Sequence, residues 1–362
     1  MRVGILTGGG DAPGLNSVIY ALVRMLKNWK PDCEIIGYKS GYKGLYKNDY
    51  VKLTPASTSG ILNRGGTILY SSNKDNLFDY FVKDDNGNFV KKDVSDVAIK
   101  NMKDMGIEIL IVLGGDGTLT SARDFSRKGI NVIGVPKTID NDLGFTDSTF
   151  GFDTAVNIVA ENLGRIHTTA ESHHRIFVVE VMGRNAGWIA LRAGLAGSAD
   201  VILIPEIPYE LNKVVEKIKQ RDRLGKHFSI IVVTEGAKEK GGQAVIGKIV
   251  SDSPDPVRFG GIGAKIAHDL ELIVKDHEVR SVALGHIQRG GEPSAADRIL
   301  SLRYAYGALN LIQKKKFGSM VCLKNNEISY VSLEEVAEKP KFVDPNGELV
   351  NIAKSLGIYF GD

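Results

Sequence analysis

The chain has 362 residues, 43% of them hydrophobic, and this length exceeds the usual size of one hydrophobic core, so two domains are expected. Its 46 Lys and Arg nearly balance its 43 Asp and Glu, and a formal charge of +3 is too small and too dispersed to indicate a nucleic-acid-binding surface. No apolar run of about 18 residues would span a bilayer, no secretory signal follows Met1, and Cys33 and Cys322 lie in neither a CxxC pair nor a metal-spaced cluster, so a cytoplasmic protein with reduced thiols is expected.

Short apolar runs alternate with amphipathic segments along most of the chain, which is typical of parallel sheets covered by helices. The candidate strands are residues 3–6, 34–38, 109–113, 132–135, 176–181, 201–204, 230–234 and 281–284. The candidate helices are residues 15–26, 157–166, 186–196, 212–221, 263–273 and 297–312. Residues 83–92 are polar, contain Asn86-Gly87 and predict an exposed hairpin. Residues 339–362 contain no recognisable motif and are expected to pack on the second domain.

The first strand runs into a glycine-rich turn, Thr7-Gly8-Gly9-Gly10-Asp11-Ala12-Pro13-Gly14. Because the turn leaves a strand and enters a helix, its backbone N–H groups can approach phosphate oxygens. Glycine-rich turns of this kind are also common for steric reasons alone, and the string is neither a Walker A loop nor GxGxxG. Both explanations stay open for this turn by itself.

A second turn of the same type, Gly114-Gly115-Asp116-Gly117-Thr118, follows the apolar run 109–113. Its small residues leave room for a polyphosphate, and Asp116 can hold the Mg²⁺ that bridges phosphate oxygens. A β-turn that uses Asp and Gly for their backbone preferences is the structural alternative. Two such turns after parallel strands of one domain favour phosphate binding.

A third turn, Pro136-Lys137-Thr138-Ile139-Asp140-Asn141-Asp142, sets two carboxylates two residues apart. Such a pair can supply a general base and a group that orients it or binds metal. Lys137 and Thr138 add a cation and a hydroxyl beside the expected phosphate path. An Asx-rich structural turn is the alternative, but these residue types favour a catalytic site.

The three turns, in this order and with this spacing, resemble the phosphofructokinase family, the enzymes that phosphorylate C1 of fructose 6-phosphate. Four later strings agree with the resemblance, which extends from residue 3 to about residue 312: Ser172-His173-His174-Arg175, Val181-Met182-Gly183-Arg184, Thr234-Glu235-Gly236, and Leu284-Gly285-His286-Ile287-Gln288-Arg289-Gly290-Gly291. It implies an α/β fold of two Rossmann-like, three-layer α/β/α domains with mainly parallel sheets and the active site in the cleft between them. The implied domains are interleaved: residues 1–151 and about 288–337 would bind the phosphoryl donor, and about 152–287 and 338–362 the sugar phosphate.

The resemblance also implies roles for individual residues. Asp140 would take the proton from the C1 hydroxyl and Arg184 would stabilise charge on the transferred phosphoryl group, with Thr138 and Asp142 completing the catalytic set. The implied metal ligand is Asp116, which would hold Mg²⁺. The implied donor site consists of Gly9, Gly10, Tyr42, Asn73, Lys74, Gly115, Asp116, Gly117, Thr118 and Lys137. The implied sugar-phosphate site consists of Thr138, Asp140, Arg175, Met182, Gly183, Arg184, Glu235, Arg280, His286 and Arg289.

In the family, arginines at the positions of Arg175 and Arg280 reach the site of a neighbouring subunit, so a homo-oligomer, a dimer or a tetramer, is expected. The phosphoryl donor within the family is ATP or pyrophosphate, and two positions bear on it. Gly117 resembles the ATP users, because a carboxylate there would repel the α-phosphate, whereas Lys137 resembles the pyrophosphate users. Since a lysine can serve either donor, ATP is expected. Asn73 stands where many members have a phosphate-binding arginine, and the neighbouring Lys74 would be its substitute.

Three alternatives accompany this interpretation. The first is the same transfer with pyrophosphate as donor. The second is an NAD kinase or diacylglycerol kinase, which also contain Gly-Gly-Asp-Gly-Thr but should lack the other strings, and the third is a non-catalytic sugar-phosphate sensor on the same fold. Little response to nucleotide-diphosphate activation or phosphoenolpyruvate inhibition is expected, because Tyr20 and His167 stand where the family's basic effector site has arginines, although Arg24 is present.

Overall fold

The computed structural model describes residues 1–83, 89–250 and 256–362. Its strands are β1 Arg2–Thr7, β2 Glu34–Tyr38, β3 Tyr50–Leu53, β4 Tyr80–Lys83, β5 Phe89–Lys92, β6 Ile109–Gly114, β7 Val132–Pro136, β8 Ile176–Val181, β9 Val201–Leu203, β10 Ser229–Thr234, β11 Ile246–Ile249, β12 Val257–Phe259, β13 Val279–Ala283, β14 Ser319–Lys324 and β15 Glu327–Ser332. Its α-helices are α1 Leu15–Trp29, α2 Tyr42–Lys47, α3 Ser95–Asp104, α4 Asp116–Arg127, α5 Phe152–His173, α6 Trp188–Ala196, α7 Leu211–Arg223, α8 Ile262–Ile273, α9 Ala295–Gln313, α10 Leu333–Val336 and α11 Glu348–Ser355. A 3₁₀ helix covers Gly285–Arg289.

The strands form two larger sheets, in agreement with the predicted α/β architecture. The first has the order β15-β14-β7-β6-β1-β2-β3, with parallel pairs in the middle and antiparallel hairpins at both edges. The second has the order β13-β8-β10-β9 and is parallel throughout. β6, β8 and β10 are buried along their whole length, as expected for strands covered by helices on both faces.

Each sheet lies between two layers of helices. The apolar stripe of α1, from Leu15 to Leu26, is fully buried and packs with α9 on one face of the first sheet. On the other face, Phe125 of α4 and Met102 of α3 belong to a second core. The second sheet is covered by α5, α6 and α11 on one face and by α7 and α8 on the other. Two three-layer α/β/α sandwiches result, as the family resemblance implied.

The chain path connects these two sandwiches more than once. After β7 the chain leaves the first sheet, builds the second through β13, and returns to the first with α9, β14 and β15. Its end then packs against the second sheet, where Val350, Ala353 and Phe360 are buried. The C-terminal segment, which has no sequence motif, therefore follows the predicted packing.

The eight predicted strands all exist, but several boundaries differ. The strand predicted at 281–284 is β13, Val279–Ala283, and the helix predicted at 157–166 is α5, which is much longer, because residues flanking its apolar centre also pack on the sheet. The hairpin predicted at 83–92 is confirmed by the antiparallel pair β4–β5, while its turn residues 84–88 lie outside the described residues. The elements that were not predicted are helices α2, α3, α4, α10 and α11 and strands β3, β11, β12, β14 and β15. Cys33 and Cys322 are buried and unpaired, and no helix in the described ranges has the length and apolarity to cross a membrane.

Candidate active site

The three turns picked out in the sequence come together at one edge of the first sheet. Strands β7, β6 and β1 are neighbours and parallel, so their carboxyl ends lie side by side. Hydrogen bonds link the turns directly: Gly8 donates its N–H to the Leu113 carbonyl, and Lys137 donates to the Gly114 carbonyl, each over 2.9 Å. Sheet order therefore assembles a site from segments distant in sequence.

Close packing explains why glycines occupy these turns. A Cβ on Gly8 would lie 2.6 Å from the Thr118 side chain, and one on Gly114 would lie 2.3 Å from it. Gly9 has a φ of 77°, a conformation that glycine adopts without strain. A Cβ on Gly10 would lie 1.8 Å from a guanidinium nitrogen of Arg289, so this arginine reaches the first turn.

The second turn is partly helical, which differs from the predicted loop. Helix α4 begins at Asp116, so Gly117 and Thr118 lie in its first turn, and Gly115 is its N-cap. A Cβ on Gly117 would meet no atom within 4 Å, so this position faces open space. The Asp116 carboxylate accepts the N–H of Glu338 over 3.0 Å, and burial raises its pKa. A helix N-terminus with open space beside it suits an anionic ligand.

Tyr42 supports this turn from behind. Its hydroxyl donates to the Thr118 carbonyl over 2.8 Å, and its ring stacks on Phe125 with centroids 5.5 Å apart. Only 4% of Tyr42 is exposed. Its predicted contact with the donor remains a prediction, whereas its contact with the helix start is direct.

Asn73, at the position where many family members have an arginine, and its proposed substitute Lys74 lie next to the first turn. Gly9 donates its N–H to the Ser72 carbonyl over 2.9 Å, which brings the following Asn73 and Lys74 to the same edge. Both side chains are exposed. Their contact with the donor remains a prediction.

Lys137 belongs to the third turn, and its side chain reaches the first turn. It is 3% exposed, and its ammonium donates to the Gly10 carbonyl. Burial and, to a lesser degree, the Arg289 guanidinium lower its pKa to about 8, with the Asp140 carboxylate acting in the opposite direction. Lys137 thus links the donor turns to the carboxylates of the third turn.

Asp140 is buried in the middle of these groups. It is 6% exposed, and its Oδ1 has no hydrogen-bond partner among the described residues. Burial raises its pKa, and the guanidiniums of Arg289 and Arg184 act against that rise, while Glu235 adds to it. An unpaired buried carboxylate oxygen is costly in a purely structural role and is typical of a group that awaits a ligand.

Thr138 and Asp142 complete the third turn. The Thr138 Oγ1 accepts the N–H of Asp140 over 3.1 Å, and the Thr138 carbonyl accepts the Thr149 hydroxyl over 2.7 Å. Burial and the neighbouring Asp140 raise the pKa of Asp142 to about 7. In the described parts of the chain, no three His, Cys, Asp or Glu side chains are grouped to hold a metal ion.

The loops after β8 and β10 face the third turn from the second sheet. Glu235 donates its N–H to the Val181 carbonyl over 2.9 Å, and Arg184 donates its N–H to the Glu235 carboxylate over 3.2 Å. Arg184 has a φ of 51° and Gly183 a φ of 138°, so this loop turns sharply after Met182. The charges of both residues act on the pKa of the buried Asp140, Glu235 raising it and Arg184 lowering it, so the two loops lie near the third turn.

Within the last of the strings that carry the family resemblance, Gly285–Arg289 form the 3₁₀ helix. His286 is exposed on it, and Arg289 points to the first turn. Gln288 was given no role in the sequence analysis, yet it is fully buried, accepts the Met182 N–H over 3.3 Å and donates to the Gly285 carbonyl over 3.0 Å. The sequence signal that could have pointed to Gln288 was its position inside the string Leu284 to Gly291.

Arg175 and Arg280 are not brought to this site within the chain. Both pair with the carboxylate of Glu278. Arg175 immediately precedes β8, whereas Met182 immediately follows it, and a strand of this length separates the two by about 20 Å. The two arginines therefore lie at the amino ends of the strands of the second sheet, whereas Arg184 lies beyond the carboxyl end of β8.

Comparison with known proteins gives a consistent result. A sequence model described as Phosphofructokinase matches residues 2–312. The chain is 65% identical over 361 residues to a Clostridium perfringens protein named ATP-dependent 6-phosphofructokinase 2, covering all of this chain and 98% of that one. It is 46% identical over 350 residues, 95% of this chain and 97% of the other, to an Amycolatopsis methanolica protein named pyrophosphate–fructose 6-phosphate 1-phosphotransferase. A pyrophosphate-dependent phosphofructokinase structure from Nitrosospira multiformis has the same fold, with a TM-score of 0.81 at 21% identity over all of this chain and 92% of that one.

Proposed function

The chain belongs to the phosphofructokinase family, and we propose that it is an ATP-dependent 6-phosphofructokinase that acts in glycolysis. It would transfer the terminal phosphoryl group of ATP to the C1 hydroxyl of fructose 6-phosphate, giving fructose 1,6-bisphosphate and ADP. The observation that carries the proposal is the buried Asp140, whose unpaired oxygen lies between the donor turns and the loops of the second sheet.

Asp140 is the proposed general base. As the C1 oxygen attacks the terminal phosphorus, its proton passes to Asp140 and the bond to the leaving ADP breaks. A carboxylate can accept this proton only when it is ionised, and Arg184, Arg289 and Lys137 favour its ionised form against the effect of burial. Arg184 then stabilises the negative charge on the phosphoryl group in transfer.

The donor would lie along the edge of the first sheet, in the part formed by residues 1–151 and about 288–337. There Gly9, Gly10 and Gly115 admit the phosphates, and the open space beside Gly117 accommodates the rest of the nucleotide. Asp116 at the start of α4 fits a magnesium ion that is carried by the donor, because Mg²⁺ in such sites takes one or two carboxylates together with phosphate oxygens. When bound, that ion would neutralise charge on the phosphates.

The sugar phosphate would lie against the second sheet, in the part formed by residues about 152–287 and 338–362. Its proposed ligands within the chain are Met182, Gly183, Arg184, Glu235, His286 and Arg289. Arg175 and Arg280 lie too far away to join them, and we assign both to the site of a neighbouring subunit in a homo-oligomer. Guanidinium groups suit the 6-phosphate because they bind two of its oxygens at once.

A pyrophosphate-dependent transfer is the second candidate, and Lys137 is the observation that favours it. Its buried ammonium lies at the first turn, where a small donor would end. The relative from Amycolatopsis methanolica is named for pyrophosphate. The openness at Gly117 and the 65% identity to a protein named as ATP-dependent favour ATP.

A comparison of donors tests the proposal. Purified protein with Mg²⁺ and fructose 6-phosphate would be assayed for fructose 1,6-bisphosphate with ATP and, separately, with pyrophosphate. We expect turnover with ATP and little or none with pyrophosphate. Activity with pyrophosphate alone would show that pyrophosphate, and not ATP, is the donor. Phosphorylation of NAD or diacylglycerol instead of the sugar would overturn the assignment to 6-phosphofructokinase.

A further inference from the structure

The segment between α10 and α11 contacts both the third turn and helix α6, which covers the second sheet. The Glu338 N–H donates to the Asp116 carboxylate, and three residues later the Lys341 N–H donates to the Asp142 carbonyl over 2.7 Å. The Lys341 carbonyl in turn accepts the indole N–H of Trp188, the first residue of α6, over 3.0 Å. Residues 338–343 therefore connect the two halves of the molecule next to the proposed reaction centre.

The side chain of Lys341 ends among acceptors from the same turn. Its ammonium donates to the carbonyls of Thr146 and Asp147 over 2.8 and 3.1 Å and to the Asn141 side-chain oxygen over 3.3 Å. An ammonium has three N–H donors, so these acceptors use its full capacity. It also lies 5.5 Å from the centre of the Trp188 ring. Lys341 thus closes the turn from residue 141 to residue 147.

Asn141 makes this contact relevant to the chemistry, because it lies between Asp140 and Asp142. Its φ is 52°, in the left-handed region that an L-residue adopts only at some cost, Asn being among the most tolerant. Its side-chain oxygen accepts the Thr149 N–H over 3.2 Å as well as the Lys341 ammonium, and it is 1% exposed. The contacts that hold Asn141 in this conformation therefore fix the directions in which the Asp140 and Asp142 side chains project from the backbone.

We propose that Lys341 is a positioning residue for phosphoryl transfer, which keeps Asp140 aimed at the acceptor by holding Asn141 and the carbonyls of Thr146 and Asp147. The proposal depends on the function proposed above. Lys341 touches neither substrate in this arrangement and acts through the turn. Displacement of a reacting group by about 1 Å can lower a rate by about 100-fold, so a loosened turn should slow the chemical step more than it weakens binding.

The test compares Lys341→Met with Lys339→Met in the full-length protein. The first removes the ammonium and keeps most of the side-chain length, and the second removes an exposed ammonium two residues away whose ring contact with Phe145 spans 5.8 Å. We expect K341M to lower kcat by about 10- to 100-fold, with KM for fructose 6-phosphate and for ATP changed by less than about 3-fold. K339M should retain wild-type constants.

A second measurement reads the turn itself. Hydrogen–deuterium exchange of peptides covering residues 141–149 should be faster in K341M than in wild type, while peptides from α7, on the far face of the second sheet, should be unchanged. Folded K341M with wild-type kcat, or with KM raised as much as kcat is lowered, would overturn the proposal. If K341M does not fold, Lys341→Gln decides: lowered kcat at unchanged KM supports positioning, whereas wild-type kcat or failure of this variant to fold assigns Lys341 to stability alone.

These outcomes stay separate from the proposed function. If the wild-type protein phosphorylates no fructose 6-phosphate with either donor, the proposed function is wrong, whatever the variants show. If the wild-type protein is active and K341M is equally active, only the proposed role of Lys341 is wrong.

Discussion

The main chain of Arg184 is held by the carboxylate of Glu235, which accepts the Arg184 N–H over 3.2 Å. This bond joins the loop after β8 to the loop after β10. The left-handed backbone of Arg184, with a φ of 51°, requires such support because arginine does not adopt it readily. The proposed phosphoryl-stabilising residue is therefore placed by a neighbouring loop as well as by its own.

The contact between these loops predicts a strong effect of Gly236→Ala. A Cβ at residue 236 would lie 1.8 Å from the Arg184 carbonyl oxygen, a backbone atom that cannot move aside without opening the turn. We expect kcat/KM for fructose 6-phosphate to fall at least about 10-fold, because Arg184 would be displaced. Gly164→Ala is the matched control, since a Cβ there meets no atom within 4 Å in helix α5. Equal kinetics in G236A and G164A would contradict the argument.

Asp140→Asn tests the proposed base. Asn has nearly the same shape but cannot take the C1 proton, so the loss should fall on kcat, by about 100- to 10,000-fold, with KM nearly unchanged. Steady-state kinetics with both substrates, together with the melting temperature, measure this. The buried Oδ1 has no partner among the described residues, so the substitution should not lower the melting temperature markedly. Near-normal turnover would show that another group is the base.

Much of the fold could be predicted because its central strands are short apolar runs of unambiguous type. β2 and β8 have the predicted bounds, and the buried stripe of α1 follows its helical spacing. In the hairpin β14–β15, β14 is a buried apolar run of the same kind, and no sequence feature explains why it was not predicted. β15 is only partly buried and mixes Ser and Glu with its apolar residues, so its pattern is weaker. Helix α4 was missed because its first turn is the string Asp116-Gly117-Thr118, which reads equally well as a loop.

The candidate site was predicted less completely than the fold, for a physical reason. Glycine-rich turns and paired carboxylates leave a local pattern, but a supporting contact between distant residues leaves none. Gln288 and Lys341 hold Met182 and Asn141 through hydrogen bonds across 106 and 200 residues of sequence. Only the folded chain brings such pairs together.

Gly117→Asp tests the choice of donor. The new side chain would enter open space, so folding should be preserved, but its charge would repel the phosphates of ATP. We expect KM for ATP to rise at least about 10-fold. Gly117→Asn has almost the same size without the charge, and its smaller effect would separate repulsion from crowding. An unchanged KM for ATP in G117D would place the nucleotide elsewhere.

Arg280 offers a test of the oligomer. Its pairing with Glu278, at the far edge of the second sheet from Arg184, predicts that Arg280→Ser acts on a neighbour's site. R280S and D140N proteins should each be nearly inactive at low fructose 6-phosphate. Refolding or co-expressing them together should restore part of the activity, because a site with an intact Asp140 can receive Arg280 from a D140N subunit. A mixture no more active than its components would contradict the assignment of Arg280 to a neighbouring subunit's site.

Asp297 predicts a pH dependence of stability. It is 1% exposed at the start of α9, where Thr154 donates to it through its N–H and hydroxyl over 2.8 and 2.6 Å. Burial raises its pKa to about 6, against the effect of these hydrogen bonds. The unfolded chain, with an Asp pKa of about 3.9, releases this proton more readily, so folding takes up a proton between about pH 4 and pH 6. The contribution of Asp297 to stability is therefore full below about pH 4 and is lost as the pH rises through about 6.

Asp297→Asn removes that dependence, because Asn does not titrate and its side-chain oxygen can still accept from Thr154. Between pH 5 and pH 7.5, the stability of D297N relative to wild type should increase by about 1 kcal/mol, because wild type loses the contribution of Asp297 over this range and the variant does not. Urea unfolding at both pH values measures this, with Asp96→Asn as the control, since the Asp96 side chain is 86% exposed. A difference between D297N and wild type that is the same at both pH values would mean that Asp297 is ionised throughout this range in the folded protein.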